Sequence, residues 1–165
     1  MKRLIRNTKR MFSDPAPLAL GAFLCAVAGA ALWVSGGSGW YAVKTAGREN
    51  RLPSLAVLFI VWLLIYALYG FLLAAILLGK REWGRNALAL FGSVIGSWLL
   101  SLGWYAVYFC TRLNFFSLIL LLLSASVMVF ALILLRRAPL PLLLAGFLIF
   151  ALEAVFFCLS IASIL

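Results

Sequence analysis

The chain has 165 residues, 67% of them hydrophobic and 11% charged, with a net charge of +10. A soluble domain of this length needs far more polar surface, so the composition excludes one and indicates an integral membrane protein. The basic excess is scattered over the N-terminus and the short segments between apolar runs. It forms no soluble basic face, so membrane lipid is the expected partner and nucleic acid is not.

In chain order, residues 1–16 read as a basic cytoplasmic arm, with Lys2, Arg3, Arg6, Lys9 and Arg10 ahead of the first apolar run. Leu4, Ile5, Met11 and Phe12 suit an interfacial helix, although the composition equally suits a solvated tail. Residues 17–165 read as a single five-helix transmembrane domain. Taking a span as roughly 20 apolar residues, the helices are predicted near 17–35, 53–79, 86–110, 113–135 and 140–164. The first run is too long for a signal-peptide core, and four further spans follow it, so it is expected to be retained. The N-terminus, second loop and fourth loop hold ten of the fourteen Lys and Arg. The positive-inside rule then predicts a multi-pass cell-membrane protein with a cytoplasmic N-terminus and an external C-terminus.

The first loop, GGSGWYAVKTAGRENRLP, is the longest non-apolar segment. Its Trp40 and Tyr41 suit either interfacial anchors or a lid over a cavity. The remaining loops are short, so the second to fifth helices are expected to run up and down as neighbours. Gly92, Gly96 and Gly103, with Ser93 and Ser97, form a small-residue stripe of the kind that lets membrane helices approach, which makes a homodimer an expectation. Cys25, Cys110 and Cys158 have no metal or redox spacing and read as buried small hydrophobes. The chain has no His. That removes the commonest metal and haem ligand, and neither a catalytic set nor a metal site is predicted.

The second span contains FIVWLLIYALYG. At about 100° per residue, Phe59, Trp62, Tyr66, Tyr69 and Gly70 share one face about 100° wide, with Val57, Ile60, Leu64, Leu68 and Leu72 opposite as lipid-facing material. Buried Tyr and Trp carry polar groups that need partners, so the aromatic face is expected to point inward. By spacing alone it is either a packed helix interface, with glycine permitting close approach, or the wall of a pocket.

The Val61-Trp62 pair, with Tyr66 and Gly70 at successive intervals of four, resembles the V-W-x-x-x-Y-x-x-x-G signature of the TspO/MBR family of tryptophan-rich sensory and translocator proteins. Trp40-Tyr41 stands where that family has W-Y, Pro53 matches the first proline before its second helix, and ALALF (87–91) resembles the start of its third. Trp104 with Tyr108-Phe109 is similar to the W-S-x-x-F-F that ends the third helix, and Arg136-Arg137 matches a basic pair before the fifth. The likeness runs from about Leu18 to Ile164. It departs at PSLAVLFIVW, which lacks two prolines and a tryptophan of the family pattern. In the fifth helix, Gly146, Phe147, Phe150 and Cys158 stand for proline, tyrosine, tryptophan and asparagine, while Ala154 is kept. The resemblance implies a divergent member with an intramembrane pocket for flat hydrophobic ligands such as a tetrapyrrole, sterol or lipid. No resident cofactor is implied, and a tetrapyrrole would be held without iron ligation. The resemblance and the shared helix faces together give as expected ligand residues Trp40, Tyr41, Phe59, Trp62, Tyr66, Tyr69 and Trp104 on one side, with Phe147, Phe150, Glu153, Ala154 and Cys158 on the fifth helix; Tyr69 lies on the face without being part of the family pattern.

Glu153 is the sole acid well inside a span, and such a group is a functional candidate by default. On the helical wheel it flanks the Phe150–Ala154 face. Its expected hydrogen-bond partners are Tyr66, Ser101 or a ligand carbonyl, with a neighbouring helix or the head groups as the structural alternative. The leading functional expectation is a binding or translocator-type protein. Two other classes stay open: a membrane enzyme acting on tetrapyrroles or lipids, and a small proton-coupled exporter that uses Glu153.

Overall fold

A computed structural model describes residues 15–37, 54–79, 84, 86–108, 114–136 and 138–164. Residues 1–14 of the predicted N-terminal arm and most of the first loop, with Trp40 and Tyr41, lie outside the described residues, as does Cys110. The elements are α1 (Ala16–Leu32), α2 (Leu55–Leu78), α3 (Asn86–Ala106), α4 (Asn114–Leu135) and α5 (Leu140–Ile164). Each is long and apolar enough to cross a membrane. Among the described residues there is no strand. The chain is therefore an all-α, multi-pass membrane protein.

Local chemistry explains where the helices begin and stop. Pro17 and Pro141 occupy first turns, where a missing backbone N–H leaves no hydrogen bond unmade. Ser54 caps α2 by accepting from the Val57 N–H at 3.4 Å, satisfying one of the free donors of the first turn. At the other end, the Gly79 N–H returns to the Ala75 carbonyl at 2.9 Å. α1 continues through a wider π turn, Trp33–Gly37, where the Ser35 hydroxyl donates to the Leu32 carbonyl at 2.9 Å.

α2 packs against α1, α3 and α5, and α4 packs against α3 and α5. The helices α2, α3, α4 and α5 thus close a ring, with α1 outside it against α2. This central position corrects part of the predicted lipid face. Val57, Ile60 and Leu64 are exposed as expected, but Leu72 is fully buried and Leu68 is packed against the core. Three neighbouring helices cover a wider arc of α2 than a single apolar stripe implies.

Close approach of α1 to α2 depends on glycine. A Cβ on Gly70 would collide with the Gly21 carbonyl oxygen, and one on Gly29 would come within 2.7 Å of the Tyr66 ring. On α3, by contrast, Gly96 and Gly103 lie opposite Val127 and Leu120 of α4, so this part of the small-residue stripe is used within the chain. A Cβ on Gly92 would meet nothing within 4 Å.

Candidate functional site

The buried face of α2 divides into two chemical layers. Toward its N-terminal end lies an aromatic layer drawn from four helices. Trp62 is 4.6 Å from both the Tyr66 and the Tyr105 ring, 6.2 Å from Trp33 and 6.1 Å from Trp104, measured between centroids. Phe156 of α5 meets Trp62 edge-on at 6.2 Å and Trp104 at 5.3 Å. Phe59 is half-buried, 5.5 Å from Trp33. The layer is also tied by polar atoms: the Trp62 indole N–H donates to the Gly29 carbonyl at 3.0 Å, and the Tyr105 hydroxyl donates to the Leu32 carbonyl at 3.0 Å. Such offset and tilted ring pairs each add about 0.5–1.5 kcal/mol beyond area burial. Side chains of the protein itself therefore contact the Trp62–Tyr66 face that was expected to be either a packed interface or a pocket wall.

At mid-membrane depth the chemistry changes. Tyr69, Ser97, Ser124 and Glu153 each stand near the middle of their helix, on α2, α3, α4 and α5 respectively. All four are buried, with Glu153 only 1% exposed. The Tyr69 hydroxyl donates to Glu153 Oε1 at 2.7 Å and lies 2.7 Å from Ser97 Oγ. The Ser124 hydroxyl reaches the same Oε1 at 2.9 Å and lies 3.0 Å from Ser97 Oγ. Ser97 and Ser124 also approach each other's backbone carbonyls, at 3.1 and 2.9 Å. One carboxyl oxygen thus ties α5 directly to α2 and α4, and Ser97 joins α3 to the same network through Tyr69 and Ser124. A polar group in an apolar interior must find such partners.

The second carboxyl oxygen, Oε2, is buried and has no hydrogen-bond partner. Of the two expected protein partners, Ser101 of α3 is buried and interacts with the carboxyl, whereas Tyr66 keeps its hydroxyl unbonded, as does the Trp98 indole N–H, and the Tyr66 and Trp98 rings meet edge-on at 6.3 Å. Tyr69, predicted as a ligand contact, is the partner of Glu153 on α2.

α5 presents a different side from the one expected. Its buried face is formed by Leu142, Ala145, Gly146, Ile149, Glu153 and Phe156. Phe147 is 53% exposed, Ala154 and Cys158 are exposed, and Phe150 is half-buried. At 100° per residue the helix is turned by about a quarter turn relative to the Phe150–Ala154 face. Two contacts account for this. Glu153 must reach the hydroxyls of the ring, and Gly146 lets α4 come so close that a Cβ there would be 2.8 Å from Leu132. Phe156, not Phe150, consequently meets Trp62.

Beyond the Gly146 contact, α4 and α5 leave a groove of about 260 Å³, lined by Leu121, Ala125, Val129, Phe150, Ala154 and Phe157 together with Glu153 and Ser126. Phe150, Glu153 and Ala154 are thus brought together, on the α4 side of α5. A second, smaller hollow of about 180 Å³ lies between Ile76–Leu77 of α2 and Ala87–Phe91 of α3.

The sequence reading missed Trp33, Tyr105 and Phe156 as members of the aromatic layer, and Ser97 and Ser124 as partners of Glu153. The available signal was depth: a lone acid halfway along its helix needs hydroxyls halfway along the neighbouring ones. Fold and site together define an all-α five-helix membrane protein with a buried carboxyl at its centre. Comparison with protein families, with curated proteins and with solved structures yields no match.

Proposed function

We propose that the protein is a binding or translocator-type membrane protein that takes hydrophobic small molecules from the bilayer into the groove between α4 and α5. The observation that carries this reading is Glu153: a carboxyl fixed at one oxygen, unpartnered at the other, lining a groove that is otherwise almost wholly apolar. Apolar walls with a few positioned polar groups are the usual make-up of ligand sites. The groove volume falls just below the roughly 300–1,000 Å³ of common small-molecule pockets, so it favours a slender ligand or the edge of a larger flat one. The resemblance to the TspO/MBR family supports the same class of function, including a tetrapyrrole, sterol or lipid-like ligand, and the charge distribution supports a cytoplasmic N-terminus.

The test is to purify the protein in mild detergent, identify any bound small molecule by mass spectrometry, and measure quenching of a metal-free tetrapyrrole. Ala154→Phe, which fills the groove, is expected to abolish retention. Binding that survives Ala154→Phe but is lost in Trp62→Ala moves the site to the aromatic layer, and no binding in the wild type removes the reading. A second reading, a proton-coupled exporter, is favoured by the hydroxyl network around Glu153. Its measurement is pH-driven flux in liposomes, lost in Glu153→Gln.

A further inference from the structure

None of the five helices contains Lys or Arg. Ionisable groups within membranes are almost always paired with one another or with backbone carbonyls. Glu153 departs from that pattern in a specific way. The approaches among Tyr69, Ser97, Ser124 and Glu153 are served by only three hydroxyl hydrogens, and those of Tyr69 and Ser124 can both point at Oε1. Two donors use the two lone pairs of Oε1. The unmet hydrogen-bonding capacity of the carboxyl therefore falls on Oε2, which is buried and makes no direct hydrogen bond, although the buried Ser101 hydroxyl of α3 is also close enough to interact with the carboxyl.

Among the residues that line the groove, none has a donor free to fill that place. Ser126 is its other polar lining residue, and its hydroxyl is spent on the Leu122 carbonyl of its own helix at 2.8 Å. The remaining lining is aliphatic and aromatic. A ligand matching both features has an apolar body for the groove and a single positive N–H group for the carboxyl, since charge-assisted hydrogen bonds are roughly twice as strong as neutral ones.

We infer that the groove between α4 and α5 binds a cationic amphiphile, a lipophilic amine whose ammonium group pairs with the free oxygen of Glu153. This rests on the groove being the ligand site, and it adds the chemical class of the ligand. Tyr69 and Ser124 then act as positioning residues that hold the carboxylate without touching the amine.

The experiment uses the full chain in phosphatidylcholine nanodiscs and two diazirine photoprobes with the same dodecyl chain, one ending in a primary amine and one in an alcohol. Crosslinks are mapped by mass spectrometry. In the wild type, the amine is expected to label the α4–α5 groove more than the alcohol by about tenfold, the equivalent of one charge-assisted hydrogen bond. Glu153→Gln should bring that ratio to about one, with alcohol labelling retained. Ala125→Phe should suppress both probes. Equal labelling by amine and alcohol in the wild type overturns the cation assignment while leaving the groove as a binding site. Groove labelling by neither probe overturns both. Because the wild-type comparison is decisive by itself, a poorly folding Glu153→Gln does not rescue the inference.

Discussion

α1–α2 and α4–α5 are both helix pairs brought together at glycine, yet they end differently. In the first, Gly21 and Gly70 set backbone against backbone, Gly29 receives the Tyr66 ring, and the aromatic layer continues the contact toward Trp33. In the second, Gly146 seats α5 against Met128, Leu132 and Leu135, and a groove follows where no further glycine continues the seam. Glycine spaced along an interface closes it, and a single glycine lets two helices touch and leaves room beyond. The polar network lies beside the second kind of contact, so the carboxyl that ties the ring together also borders its opening.

The largest expected effect separates the two seams. Gly70→Leu forces a side chain onto the Gly21 carbonyl of a facing backbone, which has no rotamer by which to yield. Overpacking of this kind costs typically 1–3 kcal/mol and more where the obstacle is rigid, so a loss of about 3 kcal/mol or above is expected in thermal or denaturant unfolding in detergent. Gly92→Leu, with open space around it, is the control and should stay within about 0.5 kcal/mol. A change in oligomer mass with Gly92→Leu, and not with the wild type, would mark the outer face of α3 as a contact between copies of the chain.

The next effect tests the centre. Tyr69→Phe keeps the ring and removes the hydroxyl that reaches Glu153 and Ser97 at 2.7 Å each. Interhelical hydrogen bonds in membranes are worth about 0.6 kcal/mol on average and up to about 1.7. A loss near the upper figure is expected, because one hydroxyl serves two partners. Ser124→Ala should cost less, and the double variant should cost less than the sum, since both hydroxyls act on the same Oε1. Strict additivity would mean that the two donors do not share a network.

How much of this could be read from the sequence depends on what each residue's signal encodes. The five spans were legible because continuous apolar length is a strong signal, and their bounds fall close to those predicted; α3 departs by ending its α-helical course at Ala106, short of Cys110. The inward face of α2 was legible because Trp62, Tyr66 and Tyr69 stand out from aliphatic neighbours. Leu72 was misplaced because periodicity gives the direction of burial and not the number of helices that supply it. The phase of α5 was illegible from its aromatics: Phe147, Phe150 and Phe157 cluster on one side, away from the Phe156 that meets the core, on a helix that apart from Glu153 is apolar nearly all round. Glu153 and Gly146 carried the phase information: the need of Glu153 for Tyr69 and Ser124 and the close approach of α4 at Gly146 set the rotation seen. Ser97 and Ser124 were hidden because serine in a membrane helix usually bonds its own backbone, as Ser93 and Ser126 do here.

The smallest expected effect on stability is the most informative about the groove. Ala154→Phe adds a ring at an exposed position of α5 that lines the groove and is itself a member of neither the glycine seam nor the hydroxyl network. Substitutions away from such features change stability by at most about 0.5 kcal/mol, so unfolding should be unaltered. Volume for a ligand should nevertheless fall sharply, because the groove is only about 260 Å³ and a phenyl group occupies a large part of it. Unchanged stability with lost ligand retention assigns the groove a role that packing does not explain. Lost stability would instead make the space between α4 and α5 a structural contact, and the two helix pairs would then differ in the number of their glycines and not in purpose.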